Sequence, residues 1–151
     1  MSDKSHQRHI AARKQARHYA TQALYQWHMA GAQCSEIESE FIDDYDLSKT
    51  DLDYFRELLR GAVHNSQALE QVLGDCLDRK VSDLDIVELA LLKVGAFELQ
   101  EKIDVPYKVV INEYVNLAKK FGATDSHKYV NGVLDKLAES LRPVETANKA
   151  R

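Results

Sequence analysis

Cysteine is almost missing from this chain. Cys34 and Cys76 are the two among 151 residues. They stand far apart, form no CxxC pair and have no histidine at zinc-ligand spacing. That excludes a disulfide framework and a zinc ribbon, and it fits free thiols in a reducing cytoplasm. No uninterrupted apolar run of about 20 residues is present, so no membrane-spanning helix is expected. The polar, basic start lacks the apolar segment that secretion needs. There is no GxxxxGKS/T loop, no GxGxxG after a strand, no HExxH and no GxSxG. The six histidines are scattered. Only His127 has an unusual setting, at an expected helix start, where capping contacts explain it. No two acids stand out as a general acid/base couple. The sequence reads as a binding protein with no catalytic residue, no cofactor and no metal.

Charge of one sign is also lacking overall. The formal net charge is −4, which argues against a protein that coats nucleic acid indiscriminately. The distribution is uneven, however. Residues 1–30 carry five cations against Asp3 alone, a net +4, whereas residues 35–57 carry nine acids against Lys49 and Arg56, a net −7. Such polarity steers a polyanion to one face and away from another.

What remains is helical. No segment alternates with period two for long enough to argue a sheet, and there is no internal repeat. The length suits one domain with a full-sized core. We expect residues 1–7 to be a flexible lead, 8–142 to be the folded domain and 143–151 to be a flexible tail. From about 8 to 30, Ala16, Ala20, Ala23, Leu24 and Trp27 share one face. Beside them runs a second stripe of Arg13, Lys14, Arg17, Thr21 and Tyr25. A basic stripe ending in an aromatic suits a phosphate chain with a stacked base; it is equally compatible with a solvated basic face. Residues 35–44 form a short acidic helix, in which Ser35 and Glu38 fit a capping box and Ile37 and Phe41 point inward. The apolar phase from 51 to 77 is one helix, or two with a bend near 61–66. Asp78, Arg79 and Lys80 make a polar turn.

Ser82 can cap a helix to about residue 100 that is apolar nearly all round, as a central bundle helix is. Its exposed remainder includes Asp85 and Glu88, with Leu92, Gly95 and Ala96 continuing the same side. Two acids followed by one large and two small apolar residues could dock a basic protein partner. Alternatively, Gly95 admits a neighbouring helix of the same chain.

The stretch 104–142 is the most informative. Pro106 suits a first helical turn, and Val110, Tyr114, Leu117, Ala118 and Phe121 follow on one face. Gly122 suits a left-handed helix end, and Thr124 or Asp125 can cap the next helix. That helix carries Val130, Val133, Leu134, Leu137 and Leu141 on one face. Two helices so closely joined form a hairpin, and the polar cluster at their joint is richer than a turn requires.

These residues resemble one family. DVPYKVVINE at 104–113, LAKKFG at 117–122 and DSHKYVNGVLD at 125–135 are similar to the signature of the NusB antitermination factors. ALYQW at 23–27, DYFRELLRG at 53–61 and VELA at 87–90 extend the likeness, which covers about residues 8–142. The resemblance implies an all-α fold of two small packed helical bundles with about six to seven helices. It also implies a cytoplasmic factor for processive antitermination, chiefly of ribosomal RNA operons. Such a factor binds the boxA element of nascent RNA jointly with NusE, a ribosomal small-subunit protein, and joins the RNA polymerase antitermination complex.

Carried onto this sequence, the resemblance makes Arg13, Lys14 and Arg17 the arginine-rich start of the first helix, with Gln15 interrupting the run. Tyr25 matches an aromatic at the RNA face. Lys128 and Tyr129 match a Lys-Phe pair whose aromatic contacts RNA. Asp125 matches a position that tunes affinity. Glu88 matches an acidic position facing NusE and agrees with the docking stripe of Asp85, Glu88 and Leu92. Tyr25 and Tyr129 are expected on one face. Two rival classes remain. One is an RNA-binding module like that of certain ribosomal RNA methyltransferases, which requires a catalytic domain downstream. The other is a structural helical adaptor, in which the basic stripe is incidental.

Overall fold

The computed structural model describes residues 3–147, and the secondary structure among them is entirely helical. The order is α1 (Asp3–Ala30), α2 (Cys34–Asp44), α3 (Leu52–His64), α4 (Ser66–Gly74), a 3-10 turn (Val81–Asp83), α5 (Ile86–Glu101), α6 (Tyr107–Phe121), α7 (Ser126–Leu141) and α8 (Pro143–Ala147). The all-α class is as expected, with one or two more helices than the six to seven anticipated. The chain divides into two compact units, Met1–His64 and Asn65–Arg151.

In the first unit α1, α2 and α3 pack on one another. Ala16, Ala20, Ala23 and Leu24 are fully buried, as are Ile37, Phe55, Leu58 and Leu59. Alanines on the buried stripe let the backbone of α1 approach its neighbours closely while favouring helix. The helix starts at Asp3, inside the stretch expected to be a flexible lead; Met1 and Ser2 lie outside the described residues. An acid in the first turn suits the positive end of the helix dipole.

The expected capping box on α2 does not form. The N-cap is Gln33, without a side-chain cap. Glu38 instead accepts two hydrogen bonds from Arg60, at 2.7 and 2.8 Å, and lies 3.7 Å from Arg56. A carboxylate facing two guanidinium groups gains more there than from one backbone N–H.

In the second unit, α5 is the central helix: Leu89 through Leu99 are all buried. It packs on α4, α6 and α7, and α6 packs closely on α7. Asn65 separates α3 from α4, so residues 51–77 are two helices rather than one. The expected Ser82 cap is displaced by the 3-10 turn, and Asp85 caps α5 by accepting the Val87 N–H at 2.7 Å. Gly95 lies against Leu134 and Tyr114; a Cβ there would stand 3.1 Å from Leu134 Cδ1. It therefore admits helices of its own chain, the second of the two readings above.

Two caps around the α6–α7 joint differ from expectation. Gly122 is extended (φ −85°, ψ 170°), not left-handed. It is needed for room, since a Cβ would meet Ser126 Cβ at 2.7 Å and the Ala118 carbonyl oxygen at 2.8 Å. Asp125 is the residue in the left-handed region, with φ 74°, and its side chain makes no cap hydrogen bond. An aspartate tolerates that region better than most residues. Beyond α7, Pro143–Ala147 is helical where a flexible tail was expected. Glu145 holds it by accepting the Tyr107 N–H at 3.0 Å and pairing with Arg142. Residues 148–151 lie outside the described residues.

Candidate nucleic-acid and partner interface

The basic stripe of α1 separates into side chains with different roles. Lys14 is exposed, and Tyr25 keeps 39% of its surface open. Arg13 is half-buried, with its guanidinium 4.2 Å from the Tyr54 ring centroid and 3.7 Å from Asp51. Asp51 also accepts the Tyr54 N–H in the first turn of α3, so Arg13 braces that turn. Arg17 is only 3% exposed and its guanidinium is 5.6 Å from the same ring; Thr21 is 2% exposed. The open stripe anticipated from spacing is thus corrected. Arg17 faces inward with its guanidinium toward the aromatic surface of Tyr54, and Thr21 faces inward with its hydroxyl donating to the Arg17 carbonyl at 2.9 Å.

In the second unit, Tyr129 sits in a polar cluster. Its hydroxyl donates to Asp78 Oδ1 at 3.2 Å, and the Arg79 guanidinium lies 4.3 Å over its ring. Arg79 Nε and Nη2 donate to the two oxygens of Asp78 at 2.8 and 3.3 Å. Those bonds hold the Asp78 carboxyl below its ordinary pKa. Burial first, and then the bond to Asp78, push the Tyr129 hydroxyl above its own. Lys128 is exposed and pairs with Asp125 at 3.3 Å. Asp78 and Arg79 were legible only as a polar turn, because no local spacing links them to a tyrosine 51 residues away.

The docking stripe on α5 is corrected in the same way. Asp85 is exposed, though its carboxylate caps the helix. Glu88 is half-buried and accepts the Ser126 hydroxyl at 2.9 Å, joining α5 to the start of α7. Leu92, Gly95 and Ala96 are buried. Leu92 therefore belongs to the core, as an apolar side chain on a central helix should.

Among the described residues no helix is long and apolar enough to cross a membrane, and no group of three or more His, Cys, Asp or Glu could hold a metal ion. Burial raises the pKa of both cysteine thiols, so neither is held as a thiolate.

A model of the NusB family matches residues 14–139. The transcription antitermination protein NusB of Pseudomonas savastanoi pv. phaseolicola is 57% identical over 135 residues, which is 89% of this chain and 82% of that protein. Its counterpart from Alcanivorax borkumensis is 52% identical over 139 residues, or 92% of this chain and 93% of that one. Among solved structures, the crystal structure of antitermination factors NusB and NusE in complex with double-stranded RNA has a TM-score of 0.76 at 26% identity. It covers 84% of this chain and 96% of that one. The solution structure of NusB from Aquifex aeolicus also has a TM-score of 0.76 at 26% identity, covering 87% of this chain and 90% of that one. With a family match over nearly all of both helical units and relatives above half identity, this chain belongs to the NusB family.

Proposed function

We propose that this protein is a cytoplasmic transcription antitermination factor that binds boxA-containing RNA jointly with NusE and acts in the RNA polymerase antitermination complex. The observation that carries the reading is the family likeness, supported by a fold shared with a NusB solved together with NusE and RNA. Its work is recognition rather than catalysis.

Each unit contributes side chains suited to RNA. In the first, Lys14 and the partly open Arg13 attract phosphates, and Tyr25 offers a ring to an unpaired base. In the second, Lys128 and Tyr129 repeat that pairing of a cation with an aromatic, and Asp125 moderates the charge of Lys128. Arg17 supports the surface from beneath by seating against Tyr54. Asp85 and Glu88 provide acidic contacts for NusE, with Leu92 holding α5 in place from the core. The chain is acidic overall, and its open cations are few, so its own RNA affinity is low and rises when NusE extends the surface.

A titration of single-stranded boxA RNA with and without NusE tests this. The expected result is much tighter binding in the presence of NusE. Equal affinity in the two titrations would overturn joint recognition.

A further inference from the structure

One face of the Tyr129 ring is already covered. The Arg79 guanidinium lies 4.3 Å over one face, Asp78 receives the hydroxyl at 3.2 Å, and Arg79 holds both oxygens of Asp78. The three side chains close on themselves. They do so at the surface, with Arg79 45% and Asp78 68% exposed at the side chain.

A carboxylate held through two oxygens by a guanidinium has the geometry with which the same guanidinium holds two oxygens of a phosphate. An arginine plane is also a surface on which an unpaired RNA base stacks. An ion pair this exposed is worth little, so exchanging its carboxylate for another anion costs little. The released carboxylate returns to water.

We propose that Arg79 is a further RNA-binding residue and that Asp78 occupies the place of an RNA phosphate until the strand arrives. On binding, Arg79 exchanges the Asp78 carboxylate for phosphate oxygens while its guanidinium stays over Tyr129. The Tyr129 hydroxyl, which a phenylalanine would lack, adds a second tether on Asp78 and strengthens the closed arrangement. This inference rests on the RNA-binding reading above and specifies how one part of that surface is regulated.

The test is fluorescence polarisation of a labelled single-stranded boxA oligonucleotide, titrated with the NusE-bound protein over a series of salt concentrations. Wild type is compared with Arg79→Gln, Asp78→Asn, Tyr129→Phe and Lys14→Ala, with thermal melts confirming that each variant is folded. Arg79→Gln weakens binding about tenfold through loss of a charged bidentate contact. It also reduces the salt slope by roughly 0.7, the value of one phosphate on a single strand. Asp78→Asn tightens binding by up to about fivefold, because Arg79 no longer gives up an ionic partner. Tyr129→Phe keeps the ring and tightens binding less. Wild-type binding that is weakened by Lys14→Ala, but unchanged by Arg79→Gln and Asp78→Asn, would overturn the exchange while leaving the RNA reading intact. Absence of wild-type binding to boxA would overturn the RNA reading and this inference with it.

Discussion

Arg142 Nε donates to the Leu99 carbonyl at 2.7 Å, closing the C-terminal end of α5 with a side chain from the far end of α7. The same guanidinium donates to Lys102 O at 2.9 Å and Val105 O at 3.0 Å, and it is 4% exposed. The last carbonyls of a helix have no partner within it; here one buried cation serves Leu99 O near the end of α5, Lys102 O at its C-cap and Val105 O in the loop beyond. Replacing Arg142 with Ala should cost roughly 3 kcal/mol or more, since buried acceptors lose charged donors. Chemical denaturation measures this. A loss below about 1 kcal/mol would show that the carbonyls find other donors.

Gly122 should not tolerate a side chain, although its backbone angles suit any residue. A Cβ would meet the Ala118 carbonyl at 2.8 Å, and backbone cannot swing aside as a side chain can. Gly122→Ala should destabilise by about 1–3 kcal/mol through overpacking. An unchanged melting temperature would contradict this account of the joint between α6 and α7.

Tyr107 is 4% exposed and its hydroxyl is buried with no hydrogen-bond partner. Burying an unpaired hydroxyl is unfavourable. Tyr107→Phe keeps the ring and should leave stability equal or raise it by up to about 1 kcal/mol. A clear loss would mean that the hydroxyl is satisfied after all.

Lys93 is fully buried and donates to Ser66 Oγ at 2.7 Å and Glu70 Oε2 at 3.0 Å. Burial holds its pKa below the ordinary 10.5. The folded chain therefore releases this proton at a lower pH than the unfolded chain does. Between the two values the unfolded state binds more protons, so stability rises with pH. Wild type should gain stability relative to Lys93→Met as pH rises through the alkaline range below 10.5. Denaturation curves for both proteins across that range check it. A difference that stays constant would refute a depressed Lys93.

Lys14 and Arg17 should respond oppositely to two assays. Arg17 is buried against Tyr54, so Arg17→Ala should cost about 1–3 kcal/mol of stability through lost packing and charged contacts. Lys14 is exposed, and Lys14→Ala should stay within about 0.5 kcal/mol. In RNA titrations Lys14→Ala should lower the salt slope by roughly 0.7. Equal stability losses for the two variants would contradict the inward placement of Arg17.

The helices and most of the core were legible because burial follows a period that sequence displays. Ala16, Ala20, Ala23 and Leu24 recur on one face of α1, and all four are fully buried. The weak point at Asn65 also became a break between helices. Caps were less legible. Ser35, Ser82 and Asp125 all have capping chemistry, yet capping depends on which nearby group competes for the same atoms. Glu38 went to Arg60, Asp85 displaced Ser82, and Asp125 took a left-handed conformation with no cap bond. The α1 stripe divided for a related reason. Helical spacing sets the direction of Arg13, Lys14 and Arg17, but which of them is covered depends on the groups packed against α1, Tyr54 and Asp51 among them.

Local spacing in the sequence by itself determined an all-helical chain, the inward faces of its helices and, through the likeness it carries, a family. Those properties depend on interactions within a few residues, or on apolar burial that has no direction. Only the tertiary structure decided which charged groups meet. Arg142 reaches a carbonyl 43 residues away, Arg60 reaches Glu38 across 22, and Tyr129 reaches Asp78 across 51. Hydrogen bonds and ion pairs require distance and angle together, and the chain meets both conditions only after its helices have packed.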